Sequence, residues 1–116
     1  MKNLPLILLC IVVFFFIKKR FFDNTDYKSM LSDGGIIIDV RSEAEFFSGY
    51  IENSLNIPLS ELPSKIDRFK DKDQPIITCC ASGIRSAGAA KIFLAKGYTN
   101  VVNGGGWSSL ERKLKK

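Results

Sequence analysis

The run Ile76-Ile77-Thr78-Cys79-Cys80-Ala81-Ser82-Gly83-Ile84-Arg85-Ser86 holds the residue types in this chain best suited to nucleophilic chemistry. Its start reads as a short apolar strand, then a tight loop, then a helix from Ser86. The loop opens on a cysteine and closes on an arginine. A loop of this kind turns several backbone N–H groups toward one anion, and the helix N-terminus adds positive potential. A thiol held there has its thiolate stabilised, to a pKa of about 3.5–7.5 against about 8.5 for a free cysteine. Cys80 is the candidate nucleophile. Ala81, Ser82, Gly83, Ile84, Arg85 and Ser86 are the candidate anion cradle. Gly83 permits the backbone curvature, and Ser82 and Ser86 offer hydroxyl donors, with helix capping the plainer role for Ser86. Cys79 ends an apolar strand and reads as a small buried hydrophobe.

Composition narrows the chemistry further. The 116 residues contain no histidine. Cysteine–histidine proteases, histidine metal sites and any histidine general base are therefore excluded. The cysteines at 10, 79 and 80 form no CxxC pair and no zinc spacing. No metal, cofactor or structural disulfide is expected, since a bridge between adjacent cysteines is strained. The net charge of +5 is local: four basic residues lie within the first 20 positions and four within the last five. Between residues 21 and 110 there are nine basic and eleven acidic residues, a balance of −2. A nucleic-acid surface needs a basic stripe on the folded body, so nucleic acid is not an expected partner.

Residues 4–17 run fourteen positions without a charge. A membrane span takes roughly 20 residues, with about 17 near the lower limit, and Lys2 can snorkel to lengthen the run. No small-residue cleavage pattern follows; Lys18-Lys19-Arg20-Phe21-Phe22 follows instead. Residues 1–22 are thus expected to be an uncleaved single-pass membrane anchor, with residues 23–116 as the folded domain. The three basic residues after the run favour a cytoplasmic domain. An exported or periplasmic domain is the alternative.

The elements that must position the loop follow from patterning. Thr25 or Asp26 can cap a helix at residues 27–32. Ile36-Ile37-Ile38-Asp39-Val40 reads as a buried strand. Ser42-Glu43-Ala44-Glu45 is a capping box that starts a second helix, ending near Gly49. A short strand is expected at 54–57, a helix at 60–69, the strand feeding the loop at 76–79, and a helix at 86–96. A strand at Val101-Val102, a turn at Gly104-Gly105-Gly106 and a helix from Trp107 to residue 115 complete the chain. Strands alternating with helices imply a parallel α/β sheet, with ligands at the C-terminal strand ends. Cys80 lies at such an end.

These residues resemble the rhodanese (sulfurtransferase) family in its single-domain form, from about Tyr27 to Leu110. Asp39-Val40-Arg41 is similar to the family's Asp-Val-Arg signature, followed by its acidic-aromatic helix at Glu45-Phe46. Gly49-Tyr50-Ile51 with Asn56-Ile57-Pro58 resembles the next segment, and residues 80–86 resemble the active-site loop. Gly97-Tyr98 and Gly105-Gly106-Trp107 resemble the C-terminal signature. Tyr50 replaces a usual histidine, Asn53 a common glycine and Ala81 a frequent arginine. The resemblance implies a rhodanese-like parallel sheet flanked by helices and a persulfide on Cys80. The expected partners are a small sulfur donor such as thiosulfate and a small-thiol or protein-thiol acceptor. Asp39 and Arg41 are expected to support the loop: Asp39 by holding Arg85, which can instead face substrate, and Arg41 by orienting the loop or pairing with Glu45. Trp107 is expected in the core or the pocket wall. The alternatives are a phosphatase or arsenate reductase on the same fold, or a binding module. The first two resemble this loop but place five residues between cysteine and arginine, where this chain has four.

Overall fold

The computed structural model describes residues 25–116. Four strands, β1 (Ile36–Asp39), β2 (Leu55–Asn56), β3 (Ile76–Cys80) and β4 (Val101–Gly106), form one sheet in the order β2-β1-β3-β4. Every neighbouring pair is parallel. The helices are α1 (Tyr27–Ser32), α2 (Glu43–Phe47), α3 (Leu62–Lys65), α4 (Ile84–Ala95) and α5 (Trp107–Leu114). A parallel sheet survives only with both faces covered, and here both are. One face packs Ile38, Val40, Ile76 and Cys80 against Leu62, Ile66, Ala89 and Phe93. The other packs Ile37, Ile77 and Cys79 against Tyr27 and Leu110.

Side chains alternate across a strand. Adjacent cysteines at the end of β3 therefore face opposite ways: Cys80 toward α4, Cys79 into the layer of α1 and α5. Both are free thiols. Local chemistry sets the helix starts. The Asp26 carboxylate accepts the Ser29 N–H at 3.0 Å and caps α1. The expected capping box opens α2: the Ser42 hydroxyl accepts from the Glu45 N–H, and the Glu45 carboxylate from the Ser42 N–H, each at 3.2 Å. Asn53 sits at φ 70°, the left-handed turn its residue type tolerates.

Two expected elements differ. The helix at 60–69 is broken into a 3-10 turn (Leu59–Glu61), α3 and a second 3-10 turn (Ile66–Arg68). Pro63 falls in the first turn of α3, where its missing N–H costs nothing; deeper in a helix it would break the ladder. Gly104-Gly105-Gly106 is not a turn but the end of β4. Thr78 pairs with Asn103 and Cys80 with Gly106, so β4 holds one more residue than β3 over that interval. That is a β-bulge, and glycine with positive φ at Gly105 (83°) makes it possible.

No helix among the described residues is long and apolar enough to cross a membrane. The anchor expected at residues 1–22 lies outside the described residues.

A buried ion pair ties the C-terminal end of β1 to α2 and the segment that follows it. Asp39 and Arg41 are 0% and 3% exposed. The Arg41 Nε bonds both carboxylate oxygens of Asp39 at 3.0 Å, and Nη2 bonds one at 2.7 Å. The remaining guanidinium donors reach the carbonyls of Glu45 (3.1 Å) and Gly49 (2.7 Å). Removing one partner of such a pair strands a buried charge, at a cost of about 3–5 kcal/mol. Arg41→Met is expected to lose that much stability in urea unfolding. Adding Asp39→Asn to Arg41→Met should recover part of it, because no unpaired charge then remains.

Candidate functional site

The loop that joins β3 to α4 is built around the Cys80 sulfur. Gly83 takes φ 99°, a left-handed conformation open to glycine. A Cβ at this position would stand 3.1 Å from the Cα of Gly105 in β4, so the close approach of the two backbones also demands glycine. With Gly83 turned this way, α4 begins at Ile84, two residues before the expected start at Ser86. The first turn of the helix is thereby drawn into the loop, and its unpaired N–H groups surround the sulfur. The Gly83 N–H points at Cys80 Sγ from 3.0 Å and the Ser86 N–H from 3.4 Å. The Ser86 hydroxyl lies 3.3 Å from the same sulfur.

Partial burial pushes the Cys80 thiol pKa up. The Ser86 hydroxyl, then the backbone N–H groups of Ser86, Gly83 and Ser82, outweigh it, and the pKa falls below the ordinary cysteine value. Burial dominates at Cys79 and pushes its thiol far up, with the Asp39 carboxylate adding to the effect. The two neighbours thus have opposite acid–base character.

Ser86 is not a helix cap, which corrects one expectation. It is fully buried at the third position of α4. Its hydroxyl has one proton and two acceptors in reach, Cys80 Sγ and, at 2.7 Å, Asn103 Oδ1. Asn103 is the site residue that sequence reasoning missed. Its Oδ1 also accepts the Gly105 N–H at 2.9 Å, and its Nδ2 donates to the Gly83 carbonyl at 3.0 Å. It therefore ties the bulged β4 to the loop. The available signal was an asparagine just before a glycine run, a residue that readily bonds the backbone two positions on.

Arg85 does not hold Asp39, a second correction. Its Nη1 and Nη2 bond the two carboxylate oxygens of Glu45 at 2.7 and 2.9 Å. Asp39 is already occupied by Arg41, two residues along the same chain end. Arg41 touches Glu45 only at its backbone carbonyl, so of its two expected roles the support is indirect, through the position of α2. Arg85, then the Ser42 N–H, holds the Glu45 carboxyl down to about 2. Glu45 in turn raises the Arg85 pKa. Ala81, Ser82 and Ile84 stand exposed at the rim, Ile84 at 80%. Trp107 packs with the α5 layer and lies 4.8 Å beneath the Arg41 guanidinium.

A Rhodanese-like domain model matches residues 23–113. The chain belongs to the rhodanese family. Its relatives include Thiosulfate sulfurtransferase PspE of Escherichia coli, 34% identical over 70 residues, covering 60% of this chain and 67% of that one. Protein HIGH ARSENIC CONTENT 1, mitochondrial, of Arabidopsis thaliana is 33% identical over 94 residues, covering 71% of this chain and 56% of that one. Among solved structures, the human single-domain sulfurtransferase TSTD1 is 29% identical with a TM-score of 0.63, covering 77% of this chain and 90% of that one. The chain spans 56–63% of the length of several curated relatives it matches. The family match bears out the rhodanese-like parallel sheet flanked by helices.

The hydrogen bonds at Cys80 give a pH prediction. The thiolate is the reactive form, so alkylation of Cys80 accelerates as pH rises through its pKa. Ser86→Ala removes a bond that favours the thiolate and raises that pKa. The alkylation-rate profile should therefore move to higher pH in Ser86→Ala. An unmoved profile would show that the hydroxyl serves only Asn103.

Proposed function

We propose that this rhodanese is a sulfurtransferase that carries sulfur as a persulfide on Cys80. The observation that carries the reading is the set of neutral donors converging on one sulfur at the start of α4: two N–H groups and a hydroxyl within 3.0–3.4 Å. Such donors stabilise a sulfur anion without neutralising it, which suits a nucleophile. The Cys80 thiolate attacks the outer sulfur of a donor such as thiosulfate. The donor's S–S bond breaks, sulfite leaves with the bonding pair, and Cys80 carries the transferred sulfur. A thiolate acceptor then attacks the terminal sulfur and regenerates the Cys80 thiolate. The proposed acceptor is a small thiol or a protein thiol.

Incubating the full-length chain with thiosulfate should add the mass of one sulfur to Cys80. Cys80→Ser should abolish both the adduct and transfer to a thiol. Cys79→Ala should retain most of the transfer, because Cys79 faces the opposite layer. Equal loss in both variants, each still folded, would overturn the assignment. Faster hydrolysis of aryl phosphates or reduction of arsenate by the native chain would favour the oxyanion chemistry instead.

We also propose that residues 1–22 tether the domain to a membrane with the domain in the cytoplasm. The support is the fourteen-residue uncharged run, the basic triplet after it and the lack of a cleavage pattern. A reducing compartment would keep Cys80 a free thiolate and supply thiol acceptors. C-terminal fusions to one reporter active only inside and another active only outside should light the inside reporter. Activity of the outside reporter, or a mature N-terminus near Phe21, would reverse this reading.

A further inference from the structure

Away from Cys80, positive charge gathers where α1 meets the end of α5. Lys28 on α1, and Lys113 and Lys116 at the end of α5, line a cavity of about 300 Å³ with Thr25, Asp26 and Tyr27. The Lys28 Nζ donates to the main-chain oxygen of Lys116, and the Lys113 Nζ stands 5.7 Å from the centre of the Tyr27 ring. Arg112 lies one helical turn before Lys116, and all four cations are exposed. Among the described residues none of the four forms an ion pair with a side chain; the neighbouring Lys115 does, with Glu111 at 3.7 Å. Asp26 is the acidic side chain in the lining, and its carboxylate caps α1. A carboxylate at the main-chain end of Lys116, counted in full, still leaves a positive excess. A helix C-terminus favours Arg112 and Lys113 by itself. It does not account for Lys28, which sits in the first turn of α1, the end where a cation is disfavoured.

The position of this cluster in the fold gives it a direction. Gly106, the register partner of Cys80, leads straight into α5. Leu110 then packs beside Ile77, three residues before Cys80 in β3. The helix therefore runs back along the sheet, and Arg112, Lys113 and Lys116 stand toward the end opposite the Cys80 mouth. Thr25, which lines the cavity, comes eight residues after Ile17, the last of the uncharged run. Eight residues fully extended span about 28 Å. Chain length alone keeps the cavity that near to the place where the run is embedded, with Lys18-Lys19-Arg20 in between. Anionic lipid attracts each lysine or arginine at its surface by roughly a factor of five. A short tether makes that contact intramolecular, so a patch of four cations suffices.

We infer that the α1–α5 face, with Lys28, Arg112, Lys113 and Lys116, docks on the anionic phospholipid surface of the membrane and turns the Cys80 mouth toward the aqueous side. This rests on the reading of residues 1–22 as a membrane tether, and it names the face of the domain that meets the bilayer.

The test reconstitutes the full-length chain into vesicles of phosphatidylcholine alone, or of phosphatidylcholine with phosphatidylglycerol. Exposed lysines are methylated with formaldehyde, an uncharged reagent, and read one by one by mass. Lys91, exposed on α4 over the other face of the sheet, is the internal reference. Methylation of Lys28, Lys113 and Lys116 relative to Lys91 should fall on the order of fivefold in the anionic vesicles. High salt should restore it. Lys113→Glu combined with Lys116→Glu should remove the protection of Lys28. Equal methylation in the two lipids, with the chain still floating with both kinds of vesicle, would overturn the inference and leave the tether in place. Protection of Lys28 that survives the double substitution would overturn it as well. Protection by RNA added to the neutral vesicles, with none in the anionic ones, would assign the face to a nucleic acid instead. Failure to float with phosphatidylcholine vesicles would overturn the tether reading, and this inference with it.

Discussion

The buried pair of Asp39 and Arg41 is the constraint on which the site end of the molecule depends. Two charges removed from water are costly, and their mutual attraction repays that only when every donor and acceptor is met. Here they are met. Arg41 spends its Nε and Nη2 on the carboxylate, its Nη1 and Nη2 on two carbonyls, and its face on Trp107. The Arg41 N–H bonds the same carboxylate at 3.0 Å. Asn56 then donates to the carbonyls of Asp39 and Arg41 and closes β2 onto β1. One guanidinium thereby fixes the end of β1, the start and exit of α2, and a face of Trp107. A lysine has neither the planar fork nor the stacking face for this work.

From that anchor the loop is held on two sides. On one side Arg41 positions α2, the carboxylate of Glu45 on α2 grips Arg85, and Arg85 lies in the first turn of α4. On the other side the extra residue in β4 lets Asn103 reach beneath the loop to the Gly83 carbonyl and the Ser86 hydroxyl. Backbone N–H groups aim well only if the backbone cannot turn away, and both restraints bear on residues 83–86. The Thr78 hydroxyl adds a third, donating to the Ser86 carbonyl at 2.8 Å.

Much of this was legible from patterning because it is local. The capping box and the Asp26 cap each depend on residues within three positions. The opposite facing of Cys79 and Cys80 follows from the strand period alone. The partner of Arg85 was not legible, because two carboxylates, Asp39 and Glu45, lie near the same chain end. The choice turns on Arg41 claiming the first, which is a matter of geometry in three dimensions. The glycine run at 104–106 carries the composition of a turn, yet packing against Gly83 makes it a bulged strand. Asn103 was missed for the same reason: its role exists only once that bulge brings β4 under the loop.

Neutral donors around the sulfur have a consequence for the proposed cycle. The Cys80 thiolate and the ionised persulfide each carry one negative charge, displaced by the length of one S–S bond. A cradle of N–H dipoles and a hydroxyl serves both without a change in its own protonation. Among the described residues the groups bonded to the sulfur include no carboxylate and no ammonium that would have to gain or lose a proton between the two states. An ion pair aimed at the sulfur would favour one of the two positions by a large Coulomb energy and would bind the anion tightly. Dipoles fixed by Gly83, Ser86 and Asn103 favour both positions moderately. A sulfur carrier needs that balance, because a sulfur atom held too well would not be given up.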